Sequence, residues 1–179
     1  MSLSANKYIA HRGLHNGEII PENSLLAFKK AIEKNHAIEF DITITKDNEV
    51  VVFHDEDLSR LCNRSEKIEE VEYIFLKKLR LYDSDEYIPL FKDILALVNG
   101  KITLIIEIKK HQNIGLLENI ILDLLENYEG EYFICSFEKD ILYWLRKNRI
   151  NIKIGLIFES NNKVFKKYNK VLFCINILK

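Results

Sequence analysis

Short apolar segments rich in β-branched residues alternate with longer helical patterns along this chain, and this alternation limits its possible folds more than any other feature. The predicted strands are 7–10, 37–45, 50–53, 102–109, 131–136, 152–157 and 171–177. Helical patterns cover residues 22–35, 89–100, 114–128 and 138–148. Alternation of strands and helices is typical of a mainly parallel sheet covered by helices, so we expect a single α/β domain over residues 1–179.

The ends of two predicted helices carry specific signals. Asn23 or Ser24 can cap the first helix, and Asn35 follows it where a left-handed residue is tolerated. In "PLFKDILALVNG", Pro89 is expected at the first helical position and Gly100 just past the end.

One connection is too short for a parallel crossover. Only the four residues "KDNE" separate the strands 37–45 and 50–53, and a hairpin is the natural interpretation. If the turn comprises residues 46–49, the returning strand places His54 opposite Asp41.

Acidic side chains alternate with isoleucines on two of the predicted strands. In "AIEFDITIT" Glu39 and Asp41 share one face, and in "ITLIIEIKK" Glu107 and Lys109 do the same. Charged groups inside a sheet or barrel must be paired or bind a metal, and a purely oxygen ligand set favours Mg²⁺ or Ca²⁺. Taken singly, Glu39 and Asp41 also fit a half-exposed strand, and Glu107 with Lys109 fits an ordinary ion pair.

Further polar residues follow the predicted strands directly. The stretch "KYIAHRGLH" sets His11 and Arg12 after an apolar segment, and His54 follows another in "VVVFHDEDL". An isolated histidine is usually structural, and "PEN", which contains Glu22, also fits a turn leading into a helix cap. The carboxyl ends of parallel barrel strands are, however, where catalytic groups collect, so we expect these polar groups to form one functional site at this end of the sheet.

Charge balance and cysteine content favour a cytoplasmic protein over a nucleic-acid-binding, membrane-binding or disulfide-bonded one. The chain has 26 Lys and Arg against 27 Asp and Glu, which gives no support for nucleic-acid or membrane-surface binding. Three widely spaced cysteines are typical of reduced thiols in a cytoplasmic protein. No apolar run approaches the ~18 residues of a membrane span, so no integral membrane segment is expected.

Six motifs together resemble a known family in order and spacing. They are "IAHRG", "PENSLLAF", "IEFDITITKD", "VVVFHDEDLSR", "IPLFKDIL" and "LIIEIK". The chain is similar in these segments to the glycerophosphodiester phosphodiesterases. The resemblance implies a TIM-type (βα)₈ barrel of the phospholipase C-like phosphodiesterase kind. It also implies metal-dependent hydrolysis of small-molecule glycerophosphodiesters to glycerol 3-phosphate and an alcohol.

The resemblance also implies roles for eight residues of this sequence. His11 and His54 correspond to the general acid/base pair, and Glu39, Asp41 and Glu107 to the ligands of one divalent cation, Mg²⁺ or Ca²⁺. Arg12, Glu22 and Lys109 correspond to residues lining the phosphate site. His15, His36 and His111 lie outside the motifs and are expected to be ordinary loop residues.

The predicted barrel is incomplete at its C-terminal end. Six barrel strands and one hairpin strand are found where the family has eight barrel strands, and two late family strands have no counterpart. We therefore expect either a C-terminally truncated domain or a homo-oligomer that covers the open barrel edges. Two alternatives stay open: an impaired barrel that only binds phosphorylated ligands, and headgroup release from lysophospholipids in the manner of a lysophospholipase D.

Overall fold

Five parallel strands and one antiparallel strand form a single sheet in the computed structural model, which describes residues 8–149 and 151–157. The strands are β1 (Ile9–His11), β2 (Ala37–Ile44), β3 (Val50–Val52), β4 (Leu104–Ile108), β5 (Tyr132–Ser136) and β6 (Ile154–Leu156). Their order is β1-β2-β4-β5-β6, with β3 paired antiparallel to β2. Six predicted strands are confirmed with ends shifted by one or two residues, and the seventh, 171–177, lies outside the described residues.

The helices follow the strands as expected for an α/β fold. They are α1 (Leu25–Glu33), α2 (Ser59–Cys62), α3 (Tyr73–Leu76), α4 (Phe91–Val98), α5 (Leu116–Leu125) and α6 (Lys139–Asn148), with a 3₁₀ turn at Ile68–Glu70. The sheet is not closed by hydrogen bonds among the described strands, which matches an incomplete barrel. Within the described residues, no helix has the length and apolar character needed to cross a membrane.

The main core lies between the sheet and the helices. Ile38, Phe40 and Ile42 alternate along β2 with the acidic positions and are fully buried. The ring of Phe40 lies 5.6 Å from that of Phe28 on α1 and 6.1 Å from that of Phe91 on α4. Because successive strand residues face opposite sides, packing this apolar face on helices turns the acidic face toward the barrel interior.

The predicted hairpin register is wrong by one residue. Thr43 pairs with Val51, and the backbone N–H of Phe53, rather than His54, donates to the carbonyl of Asp41 at 3.0 Å. The turn begins one residue earlier than expected, because the Thr45 hydroxyl accepts a hydrogen bond from the backbone N–H of Glu49 at 3.0 Å. His54 therefore lies in the loop beyond the strand and not beside Asp41.

The shifted register buries Val51 of β3 and the following Phe53 in a second core, whereas Val50 and Val52 belong to the main core. The second core comprises Val51, Phe53, Leu58, Leu61, Ile68, Leu76, Leu81, Ile88 and Leu90. It belongs to the segment 51–90, which we call the insertion because it separates β2 from the next parallel strand. The loop that carries His54 and the helix α2 both lie within the insertion.

The helix ends confirm most of the sequence signals. The hydroxyl of Ser24 caps α1 by accepting a hydrogen bond from the backbone N–H of Ala27 at 3.1 Å, and Asn35 is left-handed at φ 54°. The prediction for Pro89 is wrong, because Leu90 is the N-cap of α4. The carbonyl of Pro89 instead accepts a hydrogen bond from the backbone N–H of Val52 at 2.9 Å, which holds this segment extended beside β3.

Candidate functional site

Three buried carboxylates converge on the interior face of the sheet. Glu39 and Asp41 lie two residues apart on β2, and Glu107 lies in register with Asp41 on the neighbouring strand β4. One carboxylate oxygen from each residue lies within 4.8 Å of the others, and each residue is at most 3% exposed. The expected meeting of these three side chains is thus present in the structure.

The electrostatics of this cluster suit a cation. Burial, together with the charges of Asp41 and Glu107, raises the pKa of Glu39 well above its usual range. Burial and the charge of Asp41 also raise the pKa of Glu107. Among the described residues, Oε1 of Glu39 and Oδ1 of Asp41 are buried without a hydrogen-bond partner. Buried carboxylate oxygens without a hydrogen-bond donor are the type of ligand that a hard divalent cation prefers, so these residues fit such an ion.

Lys109 compensates part of the negative charge, and Asn23 donates a hydrogen bond to the cluster. The ammonium of Lys109 lies 2.6 Å from Oε1 of Glu107 and 3.4 Å from Oδ1 of Asp41. Burial opposes its charged form, but the two carboxylates outweigh burial and raise the pKa of Lys109. The amide of Asn23 donates to Oδ2 of Asp41 at 2.9 Å. From the sequence Asn23 was considered only as a helix cap, and its contact with Asp41 was missed.

His11 and Arg12 lie at the carboxyl end of β1, beside Glu39. The backbone N–H of Arg12 donates to the carbonyl of Glu39 at 2.7 Å, and Nε2 of His11 lies 3.7 Å from Oε2 of Glu39. Burial and the Arg12 charge lower the pKa of His11. The next residue, Gly13, has φ +83°, and a Cβ there would lie 2.8 Å from Cβ of Ala27. The glycine is required because the backbone turns tightly against α1 at this point.

Glu22 lies between two guanidinium groups. Its Oε1 accepts hydrogen bonds from Nη1 of Arg12 at 2.8 Å and from Nη2 of Arg60 at 2.7 Å. Burial opposes ionisation, but these partners lower the pKa of Glu22 to about 2. Glu22 therefore contacts the predicted phosphate-binding residue Arg12 and holds its guanidinium, which in turn has Nε 3.4 Å from Oδ2 of Asp41.

His54 is held by the residue that follows it. Its Nδ1 lies 2.6 Å from Oδ1 of Asp55, and Asp55 also accepts a hydrogen bond from Nε of Arg60 at 2.7 Å. Burial opposes ionisation of Asp55, but the bonds from Arg60 and His54 lower its pKa. Asp55 and Arg60 were not assigned roles from the sequence, although both belong to the motif "VVVFHDEDLSR" that carries His54.

His111 has a more specific environment than an ordinary loop residue. Its Nε2 lies 2.9 Å from Oε1 of Glu118, and both side chains are almost fully buried. Glu118 also accepts a hydrogen bond from the backbone N–H of Gly115 at 2.6 Å. The pair anchors the loop between β4 and α5 next to Lys109.

A cavity of about 700 Å³ is lined by His54, Asp55 and Lys109, among other residues. The apolar side chains in its described lining are Ile44, Ile68, Leu116 and Leu117. The remaining lining side chains are polar or charged, and none is Phe, Tyr or Trp. Of the residues predicted from the sequence, His54 and Lys109 line this cavity, whereas the three carboxylates, His11 and Arg12 do not.

The site combines groups that serve chemistry at phosphorus. The carboxylates can hold a hard cation, the two partly exposed imidazoles can transfer protons, and Arg12 and Lys109 can offset anionic charge. Of the eight residues predicted from the sequence, the structure brings Arg12, Glu22, Glu39, Asp41, Glu107 and Lys109 into one continuous network of contacts, which His11 adjoins. His54 joins the network through Asp55 and Arg60.

Comparison with known proteins agrees with the family resemblance seen in the sequence motifs. Residues 11–175 match the model of the glycerophosphoryl diester phosphodiesterase family. A glycerophosphodiester phosphodiesterase of Caldanaerobacter subterraneus is 33% identical over 162 residues, which cover 84% of this chain and 66% of that protein.

Solved structures of similar proteins share the fold. A glycerophosphodiester phosphodiesterase of Thermotoga maritima matches with a TM-score of 0.72 and 29% identity, over 87% of this chain and 63% of that one. A phosphodiesterase of Oleispira antarctica, solved in complex with the product sn-glycerol-3-phosphate, matches with a TM-score of 0.81 and 22% identity, over 89% of this chain and 69% of that one. The matched part of this chain spans 66% or less of the first curated relatives' own lengths.

Proposed function

This chain belongs to the glycerophosphoryl diester phosphodiesterase family, and from that premise we propose that it hydrolyses glycerophosphodiesters to glycerol 3-phosphate and an alcohol. The observation that carries the proposal is the buried cluster of Glu39, Asp41 and Glu107 with two unsatisfied oxygens, beside His11. Three buried carboxylates this close are strongly unfavourable without a compensating cation.

In this proposal Glu39, Asp41 and Glu107 hold one Mg²⁺ or Ca²⁺ ion. When bound, such an ion would stabilise charge on the phosphoryl oxygens and make a nearby hydroxyl more acidic. Asn23 and Lys109 orient Asp41 and Glu107 by the contacts described above, and Oε1 of Glu39 and Oδ1 of Asp41, which Lys109 approaches only to 3.4 Å, are the oxygens proposed to bind the ion.

The two histidines carry the protons. One imidazole removes the proton of the glycerol 2-hydroxyl as its oxygen bonds to phosphorus, and the other gives a proton to the alcohol as the P–O bond breaks. The product of this step is a cyclic phosphate of glycerol. Water then opens the cyclic phosphate, with the two histidines exchanging their acid and base roles, and the product is glycerol 3-phosphate. With Nδ1 of His54 directed at the carboxylate of Asp55, the proton lies on Nδ1 in the neutral ring, and Nε2 is the nitrogen available for transfer.

Arg12 and Lys109 offset the charge of the phosphodiester. Both cations contact Asp41 at 3.4 Å, so they lie beside the carboxylates proposed to hold the metal. The product seen bound to the Oleispira antarctica relative is the one expected here.

If the alcohol leaves on the side of His54, the mainly polar cavity there suits a small polar alcohol better than a lysolipid. An acyl chain would need a continuous apolar wall, and only four of the described lining residues are apolar. Release of a headgroup from a lysophospholipid, the lysophospholipase D-like alternative, is therefore less well supported by the described residues.

The test measures glycerol 3-phosphate released from glycerophosphoethanolamine, with and without EDTA. We expect release that stops on chelation and returns when Mg²⁺ or Ca²⁺ is restored. Micellar lysophosphatidylcholine, tested in parallel, should be a poor substrate. Undiminished release after complete metal removal would contradict the proposal, and binding of glycerol 3-phosphate without any turnover would favour the impaired-barrel alternative.

A further inference from the structure

Arg60 lies at the start of the insertion and makes hydrogen bonds with two carboxylates at once. Its Nε and Nη2 donate to the two oxygens of Asp55 at 2.7 and 3.0 Å. Its Nη1 and Nη2 donate to the two oxygens of Glu22 at 2.9 and 2.7 Å. Glu22 is 38 residues away along the chain and lies just before α1, so Arg60 joins the insertion to the first βα loop.

Each of these carboxylates contacts a different proposed functional residue. Asp55 is bonded to Nδ1 of His54 on one side of Arg60, and Glu22 is bonded to Nη1 of Arg12 on the other. Every contact in this series is 3.0 Å or shorter. Arg60 is thus the central member of a continuous series that runs from the His54 imidazole to the Arg12 guanidinium.

We infer that Arg60 is a positioning residue that fixes His54 and Arg12 relative to one another. Its effect on turnover rests on the proposed function, whereas its effect on the His54 ring follows from the contacts alone. Without Arg60, Asp55 and Glu22 would lose the cation they share, so the contacts of His54 and Arg12 with these carboxylates would no longer be fixed relative to one another. Arg60 touches no reacting group itself.

The planar guanidinium is the group that this position requires. Its nitrogens lie in a rigid fork, so two of them can hold each carboxylate in a bidentate manner. A lysine ammonium is a compact point charge on a flexible chain, and it would not hold both carboxylates in that geometry. Arg60→Lys should therefore be distinguishable from the wild type even though the charge is retained.

Kinetic measurements on the full 179-residue chain form the first part of the test. We expect Arg60→Ala to lower kcat/KM by about 10- to 100-fold, as is usual for residues that orient a catalytic group or a metal ligand. Arg60→Lys should recover only part of this loss, and added guanidinium should raise the activity of Arg60→Ala. The matched control is Arg64→Ala, because Arg64 has a comparable exposed pairing with Glu66 away from the site. Equal activities for Arg60→Ala and Arg64→Ala would overturn the inference.

A double-mutant comparison shows whether Arg60 acts through Asp55. If it does, the combined Arg60→Ala and Asp55→Asn variant should lose less activity than the product of the two single losses. Losses that simply multiply would show that the two residues act independently and would overturn the series of contacts proposed here.

The ¹⁵N spectrum of the His54 imidazole gives a measurement that does not depend on activity. In the wild type we expect a single tautomer with the proton on Nδ1, and in Arg60→Ala we expect the Nδ1 and Nε2 signals to move toward an averaged value. Arg64→Ala should leave both signals unchanged. If the wild type releases no glycerol 3-phosphate, the proposed function fails, but these spectra still decide the role of Arg60. Unchanged His54 signals in Arg60→Ala would overturn it.

Discussion

Asp41 and Glu107 lie side by side in register on the parallel strands β2 and β4, with both carboxylates directed into the same buried cluster. Neighbouring strands are about 4.8 Å apart, so two acidic residues in register on one face are forced close together. Lys109 contacts both side chains, but the cluster also contains Glu39. This arrangement is costly for the free protein, and a divalent cation bound here would relieve the cost.

Metal binding is therefore expected to stabilise the fold. Adding Mg²⁺ or Ca²⁺ to the metal-free protein should raise Tm, and an ion present at 100 times its Kd contributes about 2.7 kcal/mol. Asp41→Asn should abolish most of this increase, whereas Glu129→Gln, which changes an exposed acidic residue elsewhere, should keep it. Thermal unfolding with and without each ion measures the effect. A Tm that neither ion changes would contradict the proposed metal site.

Substitution of either proposed catalytic histidine should reduce turnover strongly. His11→Ala and His54→Ala should each lower kcat by about 10²- to 10⁴-fold, because proton transfer to or from the reacting oxygens is lost. His36→Ala is the control, since His36 packs against the ring of Tyr8 at the other end of β2. Release of glycerol 3-phosphate at saturating metal measures the difference. His54→Ala should also retain the metal-dependent rise in Tm, and a wild-type rate in either variant would contradict the acid/base assignment.

Gly13 is expected to tolerate no side chain. Gly13→Ala places a Cβ 2.8 Å from both Ala27 and Phe28 while the backbone has φ +83°. The left-handed backbone costs about 1–2 kcal/mol and the close contact adds about 1–3 kcal/mol, and both displace the neighbouring His11 and Arg12. Denaturant unfolding and glycerol 3-phosphate release measure the two consequences.

Gly17→Ala separates the stability lost to the left-handed backbone from the stability lost to the close contact with α1. Gly17 has a similar φ of +89°, but no atom lies within 4 Å of a Cβ placed there. This variant should show only the cost of the left-handed backbone. Equal losses of stability in Gly13→Ala and Gly17→Ala would mean that the contact with α1 contributes nothing.

Glu22 should contribute to stability in a pH-dependent way. Its pKa of about 2 in the folded protein lies below the usual 4.5, so its contribution is fully present above pH 4.5 and is lost as the pH falls toward 2. The full contribution is roughly 3 kcal/mol, because one pKa unit corresponds to about 1.4 kcal/mol. The free energy of unfolding of Glu22→Gln should therefore approach that of the wild type as the pH is lowered.

Urea unfolding of both proteins between pH 6 and pH 2.5 measures this convergence. Glu129→Gln again serves as the control, and its curve should run parallel to that of the wild type. A difference between wild type and Glu22→Gln that stays constant over this range would show that the ion pairs of Glu22 do not support the fold.

Features set by local periodicity could be predicted from the sequence. The two-residue repeat of β2 was enough to separate the buried Ile38, Phe40 and Ile42 from Glu39 and Asp41, because a strand directs successive side chains to opposite faces. The same reasoning applied to Glu107, and the cap at Ser24 followed from its hydroxyl and its position. Together with the six ordered motifs, these local patterns determined the parallel α/β fold and the carboxylate cluster.

Contacts between distant segments were decided only by the tertiary structure. The hairpin register depended on the Thr45 hydroxyl and on burial of Phe53 in the insertion core, and a shift of one residue moved His54 into a loop. The joining of His54 to Arg12 through Arg60 depends on how the insertion lies against the loop between β1 and α1. No periodicity encodes such a contact, because its geometry arises only when two separately folded segments are brought together.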